Sequence, residues 1–412
     1  YQSYFTTVVK TYSLCALFLV AGLAAVSFAG RRGGWVGCFF SGVFLALSAG
    51  TRISAGVAMP VVFVYLLLER KTLGDGRWFS FGLGGGLALV ALSVPFLVAA
   101  PDGFGFAMFG YHSARSAGGL IPLLIYKAGF VSRFVQAYLV PVCLAMAAVL
   151  FRWCVRPVAS AAPAEPASPA RFNALLWAVG LAVTLVHLSA PFPYEDYQVM
   201  VFPVFAAALA VAAASEISNS RSQIPDRWML WLLLATFAAS LASSFSSPVN
   251  QNWMILGRDR IWWRVKEESS LRRLQKIGAW VREQMRPGDV LLTQDTYLAV
   301  EAGAPVPAGL EMGPFSYFPD LLRERAEKLH VLNREMLAEL LNTTTAPLAA
   351  FSGYGLAIRS PDVMRIPPEE QDALWSIVLR RYEEVRTVPD FGQAHTALRL
   401  FKLKPAKDKR AR

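Results

Sequence analysis

The chain has 412 residues, of which 55 % are hydrophobic and 17 % charged, and its mean hydropathy is positive. This composition excludes an ordinary water-soluble domain and points to a polytopic membrane protein. The net charge of +11 does not indicate nucleic acid, because the polar last third is nearly balanced and the excess lies in short loops between apolar runs.

Charge is unevenly spread. Residues 1–245 hold 15 of the 40 Lys/Arg and 8 of the 29 Asp/Glu, leaving 25 and 21 for the shorter segment 246–412. The expected organisation is an all-α polytopic membrane helical bundle over 1–245, a small extracytoplasmic α/β domain over 246–404, and a basic tail over 405–412. Cys15, Cys38, Cys143 and Cys154 all lie in or at the ends of apolar runs, so neither a disulfide framework nor a metal-ligand spacing is present. The chain opens on Tyr1 and shows no signal peptide; it reads as a fragment lacking its native start.

Eight spans are expected, over 11–29, 35–49, 54–68, 79–100, 134–151, 174–189, 199–214 and 229–245. The fourth carries Gly84-Gly85-Gly86, a pattern that favours close helix packing. A polar-aromatic stretch over 101–133 separates spans four and five, and a Pro/Ala/Ser-rich linker over 157–169 follows span five. Ten Lys/Arg, among them Arg31, Arg32, Arg70, Lys71, Arg77 and Arg171, fall in loops on one side, against Lys10, Arg52, Arg115, Lys127 and Arg133 on the other. The positive-inside rule makes the first side cytoplasmic. The start of the chain, the 101–133 and 190–198 stretches and the C-terminal domain are then outside.

The last third has helical spacing over 270–286, 334–341 and 369–381, and strand-like runs over 290–293, 347–351, 382–388 and 396–403. That alternation predicts a sheet with helices packed on it. No strand is followed by a Gly-rich phosphate fingerprint, so a nucleotide site is not expected.

Ionisable groups beside a bilayer are costly and prompt a functional hypothesis. Arg52 sits in the tight link Ala49-Gly-Thr-Arg-Ile53, and its planar fork suits a phosphate or pyrophosphate; the plain alternative is a snorkelling interfacial Arg. In Gly103–Arg115, four aromatics precede His112 and Arg115, which share a face if the segment is helical; the alternative is an amphipathic segment anchored by Phe and Tyr. The stretch Ala190–Gln198 places Tyr194, Glu195, Asp196 and Tyr197 between two spans, as a rim facing an acceptor or as an ordinary interfacial turn. His187, His330 and His395 are read as structural. No Ser/His/Asp or Cys/His arrangement stands out.

Leu45–Arg52, Phe109–Arg115, Pro193–Gln198, Gly288–Asp295, Val300–Gly303 and Gly309–Pro319 resemble stretches of the bacterial GT-C membrane glycosyltransferases. They resemble particularly the dolichyl-phosphate-mannose protein mannosyltransferase and aminoarabinose-transferase-like group (glycosyltransferase 39-like). The resemblance implies a multi-pass enzyme of the bacterial plasma (inner) membrane. It would take a sugar from a polyprenyl-phosphate carrier and pass it to an extracytoplasmic protein, lipid or glycan, without nucleic acid or a nucleotide sugar. Arg52, His112 and Arg115 would hold the donor phosphate. The family's catalytic acidic residue lies in its first outer loop. That loop is expected upstream of Tyr1, and Lys10 stands where relatives often carry an acid, so no catalytic residue is assigned and the fragment is expected to be inactive alone. The sugar, the acceptor and any divalent metal stay open, and no cofactor beyond the lipid donor is assigned. The alternative from another class is a polytopic transporter or lipid flippase with an outer soluble domain, which would place ionisable groups at mid-span. A non-catalytic membrane scaffold is a third.

Overall fold

A computed structural model describes residues 11–30, 33–115, 119–135, 168–193, 195–220, 238, 268–392 and 396–405. The chain is mostly helical. It divides into two compact units, one of Tyr1–Ala99 with Ala117–Trp253 and the other of Ala100–Ser116 with Met254–Arg412. The expected spans over 134–151 and 229–245 lie outside the described residues, apart from 134–135 and 238. So do most of the 157–169 linker, Arg31, Arg32, His395 and the tail beyond 405.

In the second unit, β1 (Leu291–Thr293), β2 (Leu348–Phe351), β5 (Tyr382–Phe391) and β6 (Thr396–Leu403) form one sheet in the order β1-β2-β6-β5. A two-stranded pair, β3 (Ile358–Arg359) and β4 (Met364–Arg365), stands apart from it. β1 runs parallel to β2 with Leu292 opposite Ala349, and the other pairs are antiparallel, with Ala350 opposite Leu400. Side chains alternate across a strand, so neighbours go to opposite cores. Leu291, Leu348, Ala350 and Leu400 pack with Ile277, Val281 and Leu298, from helices Ser270–Gln284 and Thr296–Ala302. Leu292, Ala349, Phe351 and Phe401 pack with Leu337, Leu341, Leu374 and Val378, from helices Arg334–Thr343 and Pro368–Arg381. Burial on both faces is why Leu291-Leu292 of β1 and the whole of β2 are apolar rather than alternating.

The helices of this unit start where their sequences say they should. The Ser269 hydroxyl accepts from Arg272 N, and Asn333 Oδ1 accepts from Met336 N at 2.9 Å; each satisfies one of the orphan N–H groups of a first turn. Pro368 opens its helix, with Glu369 and Glu370 in the first turn and Arg380 and Arg381 in the last, matching the helix dipole. Edge strand β5 carries Glu383, Glu384 and Arg386 and two register shifts, features that discourage pairing with another chain.

The start of the 101–133 stretch is helical over Pro101–Gly105, π-helical over Phe106–Gly110 and helical again over Tyr111–Ala114. Phe106 and Tyr111 lie edge-on to Phe318, with ring centroids 5.7 and 6.5 Å away. Those contacts draw residues 100–116 into the second unit.

In the first unit, Gly34–Thr51, Arg77–Ala99 and Ala170–Ser189 are long and apolar enough to cross a membrane. Thr11–Val26, Ile53–Leu68 and Phe202–Ala212 are apolar but shorter. The 16 residues of the first extend about 24 Å at ~1.5 Å per residue, against a hydrocarbon core of about 30 Å. Arg77–Ala99 leaves Phe79, Leu83, Leu87, Val90 and Phe96 exposed, a face that hydrocarbon solvates and water does not.

Gly34–Thr51 and Arg77–Ala99 cross in backbone contact. A Cβ at Gly42 would lie 2.1 Å from the Phe81 carbonyl oxygen, and one at Gly84 would lie 2.1 Å from that of Phe39. A Cβ at Gly86 meets nothing within 4 Å. Gly42→Ala and Gly84→Ala are therefore expected to destabilise the protein by about 1–3 kcal/mol through overpacking. Gly86→Ala should be neutral or slightly stabilising, since Ala is the better helix former. Thermal unfolding in detergent reads the difference; equal melting temperatures for the three variants would contradict the backbone contact.

Candidate functional site

The Gly34–Thr51 helix stops at Arg52, whose backbone is extended (φ −149°, ψ 117°), and a 3₁₀ turn, Ile53–Val57, follows. The Arg52 guanidinium lies 4.0 Å from the ring centroid of Tyr12 and 5.2 Å from that of Tyr197. Its Nη1 donates to Thr11 Oγ1 at 3.4 Å. Among the described residues no carboxylate pairs with it. A cation over an aromatic face gains about 0.5–2 kcal/mol, enough to hold the group in place without neutralising it. Arg52 stays half-buried, with charge to offer an anion.

Beside this clasp sits His187, in the last turn of the Ser168–Ser189 helix. It is buried, with its ring 5.1 Å from Tyr197 and Nε2 2.9 Å from Ser54 Oγ. Gln198 is buried too; its Oε1 lies 3.4 Å from Thr184 Oγ1. One layer further in, the buried Ser48 hydroxyl donates to the Cys15 carbonyl at 3.0 Å. Lys127 donates from Nζ to the carbonyls of Leu188 and, at 2.7 Å, Ala190. It thereby caps the end of the helix that carries His187.

The residues singled out in the sequence are thus distributed over both units. Arg52 and Tyr197 meet in the first. Glu195 and Asp196 begin the 3₁₀ turn Glu195–Met200 that brings Tyr197 to Arg52, and Tyr194 lies outside the described residues. His112 and Arg115 belong to the second unit. His112 is in the Tyr111–Ala114 turn, but Arg115 is its C-cap in extended backbone (ψ 134°), with its guanidinium 5.8 Å from the Tyr111 ring centroid. The helical face they were expected to share ends before Arg115. His187, read as structural, and Tyr12, not singled out, are the residues that sequence reasoning missed. The available signal was a His in the last turn of an apolar span, on the side assigned to Arg52.

A second polar cluster lies at the carboxyl ends of the parallel strands β1 and β2. Asp295 is buried; its Oδ2 accepts from Ser352 N at 2.8 Å, and its Oδ1 from Ser352 Oγ at 2.7 Å and Tyr297 Oη at 2.9 Å. Burial pushes the Asp295 carboxyl above its ordinary 3.8, partly offset by these hydrogen bonds. Burial and the neighbouring carboxylate push the Tyr297 phenol up. Every oxygen of Asp295 is occupied, so the cluster ties the loop after β2 to that after β1. No protein-family model, curated protein or solved structure matches the chain.

The Asp295 tie sets a stability test. Asp295→Ala leaves the Ser352 amide without its acceptor, and a stranded buried donor costs about 1–3 kcal/mol; denaturant unfolding should show that loss. The raised carboxyl means the folded state keeps this proton to higher pH than the unfolded state. Its contribution to stability is therefore fullest below the ordinary value of 3.8 and falls as pH rises through the folded value. Asp295→Asn, which does not titrate, should lack that slope; parallel pH profiles for wild type and Asn variant would contradict the assignment.

Proposed function

We propose that the protein is an integral-membrane glycosyltransferase that moves a sugar from a polyprenyl-phosphate donor to an extracytoplasmic protein, lipid or glycan. Arg52 holds the donor phosphate. The observation that supports this most is the Arg52 guanidinium clasped by Tyr12 and Tyr197, unpaired with any described carboxylate, at the end of apolar helices. A polyprenyl phosphate has the complementary form, a long apolar chain ending in an anion. Its isoprenoid chain lies along exposed Leu, Val and Phe side chains, and its phosphate takes paired N–H donors from the guanidinium fork.

In this reading about eight spans form the bundle. The α/β domain lies outside the plasma membrane of a bacterium, as the likeness to the GT-C group implies. Tyr194, Glu195, Asp196 and Tyr197 rim the approach of the acceptor. The reaction breaks the bond between the anomeric carbon and the phosphate oxygen as the acceptor oxygen bonds to that carbon. Negative charge grows on the departing polyprenyl phosphate, where a fixed guanidinium stabilises it. The acceptor's proton passes to a carboxylate base within hydrogen-bond reach.

Transfer of labelled sugar from a polyprenyl-phosphate donor, with the intact protein in proteoliposomes, tests the proposal. Losing one charge-assisted bond costs about 1.5–3 kcal/mol. Arg52→Ala should therefore raise the apparent KM for the donor by about 10- to 150-fold. Unchanged donor kinetics would make Arg52 an interfacial anchor, and donor movement across the bilayer without transfer would favour a flippase.

A further inference from the structure

Four side-chain polar atoms in the first unit are buried with no hydrogen-bond partner among the described residues; Ser41 Oγ and Asn173 Oδ1 lie elsewhere in the bundle, and two belong to residues at the Arg52 clasp, Nδ1 of His187 and Nε2 of Gln198. The latter two residues are 3 % and 4 % exposed. Buried polar groups are nearly always paired, and an orphan one needs an explanation. Two in one cluster, beside a cation held ready for an anion, are accounted for if their partners arrive with a ligand.

The remaining valences define the ligand's chemistry. Nε2 of His187 is engaged with Ser54 Oγ, and Gln198 Oε1 faces the Thr184 hydroxyl. What is left is an amide nitrogen, which only donates, and one ring nitrogen, which donates or accepts according to tautomer. A hydroxyl serves both, since it accepts from the first and either gives to or takes from the second. Tyr197 spans the two halves of the site, its ring 5.2 Å from the Arg52 guanidinium and 5.1 Å from the His187 ring. A molecule whose anion rests on Arg52 thus carries its adjoining group past Tyr197 to His187 and Gln198.

Resting on the donor reading above, we infer that His187 and Gln198 are the hydroxyl-recognising part of this site and bind the sugar ring joined to the phosphate on Arg52. Gln198 Nε2 donates to one sugar hydroxyl, and His187 Nδ1 pairs with another.

The test uses the intact protein in nanodiscs and two probes, a polyprenyl phosphate and the same lipid carrying a hexose. Wild type should bind the hexosyl lipid about tenfold more tightly, the effect of two neutral hydrogen bonds. Gln198→Leu and His187→Leu should each cut that preference to about threefold, with affinity for the bare phosphate lipid held within about twofold. Arg52→Gln should weaken both lipids. Without ligand, Gln198→Leu removes a buried amide whose nitrogen is unpaired and whose oxygen holds only a long contact to Thr184 Oγ1, a hydroxyl that also donates to the Gly180 carbonyl, so its melting temperature should equal or exceed that of wild type.

Equal losses for both lipids, an unchanged preference in both variants, or a lowered ligand-free melting temperature for Gln198→Leu would overturn the hydroxyl assignment while leaving the donor reading intact. Wild type binding neither lipid would overturn the donor reading and this assignment with it.

Discussion

A guanidinium at the end of an apolar helix has to find partners, and Arg52 finds them in the faces of Tyr12 and Tyr197. That clasp joins three pieces of chain distant in sequence: the start of the first helix, the break after Gly34–Thr51, and the 3₁₀ turn Glu195–Met200. His187 then comes against Tyr197 and Ser54, with Lys127 fixing the carbonyls at the end of its helix. A carboxylate in place of the tyrosines would have spent the charge in an ion pair. Aromatic faces hold the cation and leave it available, which suits recognition of an anion from the bilayer.

The two units bury apolar surface in different ways. In the first, glycines let two helices touch backbone to backbone while large apolar side chains face outward. In the second, a sheet only four strands wide is covered by helices on both faces, so β2 is wholly apolar and buried. The composition change near residue 246 follows this difference.

Much of the second unit was legible because its signals are local. The helices over 270–284, 334–343 and 368–381 announce themselves through caps, Pro368 and spacing, and the strands through short apolar runs. The helix crossing at Gly84 was likewise legible as a glycine cluster. The 101–114 helix was not, because what orders its aromatic residues is Phe318, about two hundred positions later. The third expected span is short because the chain leaves Arg52 as a 3₁₀ turn, a departure set by the clasp rather than by hydropathy. Arg52 stood out as a charge between apolar runs, but Tyr12 and Tyr197 are 185 residues apart and nothing local pairs them. A lone His in an apolar span carries the same signature whether it packs or binds, and only the unpartnered Nδ1 of His187 separates the two. Asp295 escaped notice because a carboxylate after a strand usually caps a turn, and its burial depends on Ser352 from β2's loop.

The most direct measurement of the central claim is the lipid that travels with the protein. Purified from its membranes in mild detergent and analysed by native mass spectrometry, wild type should carry a polyprenyl phosphate or its glycosylated form. Arg52→Gln, folded to the same degree by thermal unfolding, should lose it. Bulk phospholipid alone in the wild type, or the same polyprenyl phosphate retained by the Gln variant, would contradict the claim that Arg52 holds the donor.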